Sequence, residues 1–192
     1  MDNALQVGND LDHAVQKVSL AVRTCNGSQT EGVGPRFVEP IINASIAITA
    51  SLLDLNPQEL TLESNVPVVG KLAYGTLDFM INGKQGGVPI KVSEAEQAFT
   101  SADEAQLLVQ MATVRDISET ADQASTANAN LMHDIFGILT SGRTWAFYKY
   151  EPGSAAPTYA TLSMPEGEGL EPQVKVVIEA IVGIMRQLSG AG

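Results

Sequence analysis

The stretch that decides the fold reads GTLDFMI at positions 75–81 and VPIKVSEAE at positions 88–96. In both runs apolar residues recur at every second position, which is the period of a β-strand with one buried face. Between the runs, residues 82–87 (NGKQGG) are the glycine-rich signal of a tight turn. The sequence therefore predicts two neighbouring antiparallel strands, with a single acid, Asp78, in the middle of the first.

Shorter apolar runs extend this pattern in both directions along the chain. Leu60 to Val68 predicts a strand before the hairpin, and positions 135–140 and 144–150 predict two more after it. The last two are joined by Ser141-Gly142-Arg143, a turn signal. A further strand is expected at 158–164. These runs predict one central β-sheet, mostly antiparallel but mixed.

Helical periodicity occurs before, between and after the strands. The N-terminal helix is predicted from Leu11, Val15, Val18 and Val22, and a second helix from near Pro40 to about Leu55. Ser101 to Glu104 has the form of a capping box that starts a third helix. The last helix is expected from Pro172, with six inward-facing apolar residues: Val174, Val177, Ile181, Ile184, Met185 and Leu188. The fold class that follows is α/β (or α+β), a mixed central sheet flanked by helices.

The length of 192 residues predicts a single domain, 1–192. Within it, residues 1–34 are expected to be an N-terminal helix and loop appended to a core of residues 36–192. The chain begins without a basic segment followed by an apolar one, and no apolar run approaches the roughly 18 residues of a membrane helix. We therefore expect no signal peptide, no transmembrane segment and no membrane partner, and an intracellular location in the cytoplasm or nucleus.

Charge and cysteine content narrow the function classes. The chain has 22 acidic and 11 basic side chains, a formal net charge of −11, and only one cysteine, Cys25. A single cysteine excludes an internal disulfide and a cysteine-rich zinc site. Scarce lysine and arginine disfavour a broad cationic face for nucleic acid. Any nucleic-acid binding would therefore be weak, unless residues such as Lys71, Arg143 or Lys149 form a small basic patch.

Three carboxylates are candidates for a metal site. If the two central strands pair, Asp78, Glu94 and Glu96 converge at one end of the sheet, because residues two apart on a strand share a face. Clustered carboxylates repel one another unless a cation neutralises them, and oxygen ligands suit Mg²⁺ or Mn²⁺. The alternative interpretation is that Glu94 and Glu96 lie at a solvated strand end before a helix.

Together these motifs resemble the PD-(D/E)XK, or restriction-endonuclease-like, superfamily. The resemblance rests on GTLDF at 75–79, on the strand ending Glu94-Ala95-Glu96, and on the helix AQLLVQM at 105–111. It is strengthened by FGILTSGRTWAFY at 136–148, which is similar to a strand pair in a divergent fungal and oomycete branch that includes Crinkler-type effector nuclease domains. The matching region, about 60–150, covers a little under half of the chain.

The resemblance implies a restriction-endonuclease-like core with extra N- and C-terminal helices, and it implies site residues. Asp78 and Glu94 would hold Mg²⁺ or Mn²⁺, Glu96 would be a second ligand or a water-orienting base, and Gln106 would be a polar support. The superfamily usually has lysine where this chain has Glu96. Lys91 is expected to point to the opposite strand face from Glu94, because their offset is odd.

Two hypotheses therefore stay open. One is a metal-dependent phosphodiesterase of nuclease fold that acts on nucleic acid. The other is a catalytically inactive nuclease-fold protein that serves as an effector or protein-binding module, with the N-terminal helix as a candidate interaction surface. A homodimer is compatible with either hypothesis, because many restriction-type folds act as dimers.

Overall fold

The alternating apolar runs form one six-stranded sheet in the computed structural model, which describes residues 9, 11–20, 33–56, 58–69, 74–83, 86–92, 99–124, 134–151, 154, 156–163 and 170–189. The strands are β1 Thr61–Val69, β2 Tyr74–Gly83, β3 Gly86–Val92, β4 Ile135–Thr140, β5 Thr144–Tyr150 and β6 Thr158–Ser163. The helices are α1 (residues 11–20), α2 Val33–Leu53, α3 Ser101–Ala124 and α4 Leu170–Leu188. The predicted α/β class with a mixed sheet is confirmed.

The strands follow one another across the sheet in chain order, from β1 at one edge to β6 at the other. Every neighbouring pair is antiparallel except β3 and β4, which run parallel and are connected through α3. The parallel register places Val92 beside Thr140, so the C-terminal ends of β3 and β4 meet at one edge of the sheet. Strands β2 and β3, which the sequence predicted as neighbours, are paired with each other.

Helices cover both faces of the sheet. On one face, apolar residues of α1, α2 and α4 pack with strand residues that include Ile90, Ile138 and the fully buried Trp145. On the other face, Leu107 and Met111 of α3 pack with residues of β4 and β5. Val15 and Val18 of α1 belong to the first core, so this part of the stripe is packed within the domain, while Val22 lies outside the described residues.

Part-way along β1 and β2, the buried side chains of both strands change from one face of the sheet to the other. Phe79 and Ile81 pack with the α2/α4 core, yet Leu77, an even number of positions away, packs with Val114 of α3. In β1 the same reversal separates Leu62 from Val68. The cause lies at Asn65, whose φ of 53° is left-handed and breaks the extended alternation. Asn65 and Asp78 both lie between the pairs Ser64–Phe79 and Val66–Leu77, so both strands reverse at the same level.

Beyond this level the β1–β2 hairpin no longer pairs with β3. The pairing of β2 with β3 stops at Phe79 and Ile90, whereas β2 stays paired with β1 as far as Tyr74 and Val69. Strand β3 continues instead along β4 as far as Val92. The far end of the β1–β2 hairpin therefore packs over α3, where Val68, Leu77 and Val114 form a small separate core.

Three helix starts differ from the sequence predictions. Helix α2 begins at Val33, so Pro40 lies inside it, although a proline lacks the N–H that a helix interior normally uses. Helix α4 begins two residues before Pro172. At α3 the cap is Thr100, whose hydroxyl accepts the amide of Asp103 while the Asp103 carboxylate accepts the amide of Thr100. The capping box is therefore one residue earlier than predicted.

Candidate functional site

Asp78 bridges the two strands at the point where they separate. Its Oδ2 accepts a 2.8 Å hydrogen bond from the backbone N–H of Val92. No β2 residue is paired with β3 beyond Phe79, so this amide would lack its usual partner in a ladder. The carboxylate thus replaces a backbone acceptor and holds the end of β3 against the diverging hairpin.

Lys91 lies on the same side of the sheet as Asp78. Its Nζ is 3.2 Å from Asp78 Oδ2, and the lysine side chain is only 17% exposed. The sequence predicts that Lys91 points to the opposite strand face from Glu94, on the assumption that one regular strand runs from Val88 to Glu96; this stays a prediction, because Glu94 lies outside the described residues. Strand β3 is described only to Val92, so strand alternation does not place Glu94 or Glu96.

The predicted metal ligands are only partly described. Glu94 and Glu96 lie outside the described residues, and Asp78 is the one predicted ligand whose surroundings are known. Its Oδ2 already accepts an amide hydrogen and faces an ammonium, which would repel a divalent cation at that oxygen. Among the described residues there is no group of three His, Cys, Asp or Glu side chains that could hold a metal. Because Glu94 and Glu96 lie outside the described residues, Mg²⁺ binding by the three carboxylates stays a prediction.

Gln106 is part of a pocket and not of the surroundings of Asp78. It is exposed on α3 and forms no hydrogen bond with Asp78; it lines a pocket between α3 and the end of the β1–β2 hairpin. The pocket has a volume of about 280 Å³. Its walls are mostly apolar and come from β1, β2 and α3: Val68, Tyr74, Gly75, Thr76, Ala105, Gln106, Val109, Gln110 and Thr113.

The buried polar group of this pocket is the side chain of Gln110, which is only 6% exposed. Its Nε2 donates a long hydrogen bond of 3.5 Å to the backbone oxygen of Thr76. Its Oε1 is buried and has no hydrogen-bond partner among the described residues. A buried acceptor without a donor costs roughly 1–3 kcal/mol.

Gly75 leaves the pocket open on the hairpin side. It is paired with Val68, and directly paired residues share a sheet face, so a side chain at position 75 would point toward α3. A Cβ built at Gly75 meets no atom within 4 Å. At the pocket mouth Tyr74 and Val109 remain exposed, Tyr74 by 88%. We call Tyr74, Gln106 and Val109 the pocket rim.

The later motif, FGILTSGRTWAFY, forms the β4–β5 hairpin, and the residues that carry its pattern are structural. Gly142 has a φ of 84° in the turn between β4 and β5, a position that suits glycine. Its N–H donates to Thr140 Oγ1, and its carbonyl accepts from Trp145 Nε1 at 3.1 Å. At Gly137 a Cβ would lie 2.5 Å from the sulfur of Met111, so α3 approaches β4 closely there. These contacts account for the motif without a chemical role.

Two other polar contacts lie beside this hairpin. The hydroxyl of Tyr148 donates to Glu104 Oε1 at 3.2 Å, and burial, together with the negative charge of Glu104, raises the pKa of Tyr148 to about 12. Lys149 is 2.8 Å from Asp134 and 2.9 Å from Glu151, and hydrogen bonds to both carboxylates raise its pKa. Lys149 is therefore neutralised locally and adds little to a basic patch.

Comparison of the chain with models of protein families, with curated proteins and with solved structures found no match. The resemblance to the PD-(D/E)XK superfamily therefore stays a prediction that rests on the motifs alone. None of the described helices has the length and apolar character needed to cross a membrane.

The sequence predicted Gln106 as a polar support of a metal site, which stays a prediction, and it did not single out Gln110 or Gly75 as pocket residues. The available signal was the spacing of the two glutamines, four residues apart and so on one face of a helix. Between them Leu107 is buried, so this polar pair lies beside an apolar surface. The pocket itself could not be anticipated, because it depends on the hairpin leaving the sheet at Asp78.

Proposed function

We propose that this chain is a non-catalytic binding module that recognises a partner polypeptide at the pocket between α3 and the β1–β2 hairpin. The observation that carries the proposal is the mostly apolar pocket of about 280 Å³ between α3 and the end of the β1–β2 hairpin. Pockets with apolar walls and few directed polar groups are the usual form of a recognition site. The exposed Tyr74 and Val109 at the rim supply apolar contact area.

The hydrogen bond from the Val92 N–H gives Asp78 a structural role that needs no metal. Its carboxylate supports the end of β3 through Val92 and pairs with Lys91. The described lysines of the two strand pairs, Lys91 and Lys149, are both bound to carboxylates, which leaves little positive charge for a phosphate backbone. The net charge of −11 favours a basic partner instead.

A selection of displayed random peptides on the immobilised full chain tests this function. We expect the selected peptides to bind the wild type and to lose at least tenfold in affinity on Tyr74→Ser, because this side chain lies at the rim. Tyr159→Ser is the matched control, since Tyr159 is an exposed tyrosine on β6 at the opposite edge of the sheet. If every selected peptide binds the two variants equally, or if none is selected, the proposal is wrong.

Metal-dependent cleavage of nucleic acid is the second candidate, favoured by the placement of Lys91 beside Asp78. The superfamily that the motifs resemble pairs a carboxylate with a lysine ammonium, which Glu96 cannot supply. This candidate predicts cleavage of DNA or RNA with Mg²⁺ or Mn²⁺ that is lost in Glu94→Gln and retained in the control Glu179→Gln on α4. Absence of cleavage by the wild type across both metals and both nucleic acids rejects it.

A further inference from the structure

The two edge strands of the sheet differ in what they offer to a further strand. We propose that β6 pairs with β6 of a second copy of this chain, antiparallel and about a two-fold axis at Thr161, so that two sheets join into one. This inference goes beyond the proposed function, because the pocket involves β1 and β2 on the other side of the sheet.

Strand β6 has the features of an edge that accepts another strand. Its sequence, TYATLS at 158–163, contains no charged residue, no proline and no glycine. Five of its six residues are exposed, and only Leu162 is half-buried. Its register with β5 is continuous, so it has no bulge. Edge strands are commonly protected from pairing by charges, prolines or bulges, and β6 has none of these.

The other edge strand, β1, is protected in three ways. Glu63 puts a charge on the strand, Asn65 is left-handed and interrupts the extended backbone, and Pro67 has no N–H to donate. Pairing of β6 with β1 of the next copy would build an open, head-to-tail filament. Because β1 is blocked, the edge that matches β6 within this chain is β6 itself, and a two-fold pair of β6 strands closes after two copies.

The direction of the free backbone groups on β6 follows from the β4–β5 turn. The N–H of Ser141 donates to the carbonyl of Thr144, so these two residues form a hydrogen-bonded pair. Hydrogen-bonded and non-hydrogen-bonded pairs alternate along antiparallel strands, and the register continues without a break to β6. Trp145 therefore bonds toward β6, where its partner is Leu162. The residues of β6 that alternate with Leu162 point their N–H and C=O groups away from β5, to the open edge: Tyr159, Thr161 and Ser163.

These outward groups determine the register of the proposed pair. With Thr161 opposite Thr161 of the second copy, Tyr159 lies opposite Ser163, and every outward N–H and C=O of the three residues is paired. A register centred on Ala160 would instead place Ser163 opposite Pro157, which has no N–H. The register centred on Thr161 therefore forms the longer ladder of hydrogen bonds.

The side chains agree with this register. Leu162 is paired with Trp145 and packs with the α2/α4 core, so Ala160 lies on the same side of the sheet. In the proposed pair Ala160 would lie opposite Leu162 of the second copy and cover its half-buried side chain. On the side of α3, threonine would lie opposite threonine. Such cross-strand pairs stabilise a sheet, and no like charges meet.

Sedimentation velocity of the full chain tests the association. One strand pair gives a small interface, so we expect a monomer at about 1 µM and a dimer at about 1 mM. Thr161→Pro should fold, because its outward N–H is not used by β5, and should weaken the dimer more than about tenfold through loss of two hydrogen bonds. Thr161→Val keeps the backbone N–H and is the matched control. A wild type that stays monomeric, or a Thr161→Pro dimer of wild-type affinity, would overturn the inference.

Charge exchange at the axis tests the register. Thr161 is exposed, so Thr161→Lys and Thr161→Glu should both fold. Each variant alone should be monomeric, because two like charges would lie opposite each other. An equimolar mixture of the two should form a dimer, since a lysine then lies opposite a glutamate. If the mixture associates no better than either variant alone, the two-fold axis is not at Thr161 and the inference is wrong.

Hydrogen exchange at low and high concentration locates the interface. The amides of Tyr159 and Ser163 should exchange more slowly in the dimer, whereas those of Ala160 and Leu162 are already bonded to β5 and should change little. A dimer in which Tyr159 and Ser163 exchange as in the monomer would overturn the inference. Peptide binding at the pocket does not involve β6, so a monomeric wild type that binds selected peptides would leave the proposed function standing.

Discussion

The ammonium of Lys91 lies 3.2 Å from the carboxylate of Asp78, directly beside the amide of Val92 that the same carboxylate accepts. Three groups from two strands thus meet where those strands stop pairing. Asp78, the predicted metal ligand, has a structural role that explains why an acid lies among large apolar residues in β2. A carboxylate at such a position is tolerated because Oδ2 has both a hydrogen-bond donor and a counter-charge, and the side chain is partly exposed to solvent.

Substitutions at Asp78 should affect stability in a defined order. Asp78→Ala leaves the Val92 N–H without its acceptor, which should lower the free energy of unfolding by about 1–3 kcal/mol. Asp78→Asn keeps an oxygen acceptor and should cost less. Lys91→Met should cost under about 1 kcal/mol, because the carboxylate side chain is 37% exposed and solvent weakens the pair.

Urea unfolding of these three variants, with and without Mg²⁺, measures this order. A structural Asp78 predicts that the order is the same in both conditions. Wild-type stability that rises with Mg²⁺, but not in Asp78→Ala, would instead indicate a metal ligand.

The close approach of α3 to β4 should make Gly137 intolerant of any side chain. In Gly137→Ala the new Cβ would lie 2.5 Å from the sulfur and 2.8 Å from the Cγ of Met111, which is itself buried. Met111 must therefore move, and such overpacking typically costs about 1–3 kcal/mol. Thermal unfolding measures the loss. The double variant Gly137→Ala with Met111→Val should recover part of it, and no recovery would contradict a steric cause.

Stability should fall at alkaline pH through Tyr148. The pKa of its hydroxyl is about 12 in the folded chain against 10 for an ordinary tyrosine. Above pH 10 the unfolded chain therefore releases this proton while the folded chain retains it. The stability that the raised pKa of Tyr148 represents is fully present below about pH 10 and is lost between roughly pH 10 and 12. Its upper limit, from two pKa units, is about 3 kcal/mol.

Unfolding by urea between pH 8 and 12 tests this dependence, with Tyr148→Phe as the comparison. The substitution removes the titrating group, so the variant should lose less stability over this interval than the wild type. A parallel decline of both proteins would assign the alkaline loss to other groups.

Removal of the unpaired amide should not destabilise the free protein. Gln110→Met replaces a buried oxygen that has no partner, and it gives up only a 3.5 Å hydrogen bond to Thr76. Since an unsatisfied buried acceptor is costly, we expect a melting temperature equal to or above that of the wild type. Differential scanning calorimetry measures it. A decrease of several degrees would mean that Oε1 has a strong internal partner after all.

The sequence was sufficient for the elements whose periodicity is long and regular. The bounds of β4 and β5 and the inward face of α4 were predicted because local patterns and tertiary packing agree there. The prediction failed where a local signal is ambiguous. Ser101 and Thr100 both cap helices well, and only the observed hydrogen bonds of Asp103 show that Thr100 is the cap.

The candidate site was less predictable because one residue reverses two strands. Asn65 adopts a left-handed conformation, and alternation beyond it no longer follows from counting positions. Glu94 and Glu96 come after Val92, the last described residue of β3, so the prediction that Lys91 and Glu94 point to opposite faces stays a prediction. Long-range geometry of this kind, including the pocket beneath the hairpin, is not encoded in the spacing of any single segment.

The reversal of face at Asn65 has a consequence for how the domain comes apart. One end of the β1–β2 hairpin supplies Leu62 and Ile81 to the layer of α2 and α4, and the other end supplies Val68 and Leu77 to the layer of α3. Neither layer can open fully without disturbing strands on which the other depends. The hairpin therefore acts as a tie between the two layers, and their amide protons should exchange with solvent in one cooperative unit.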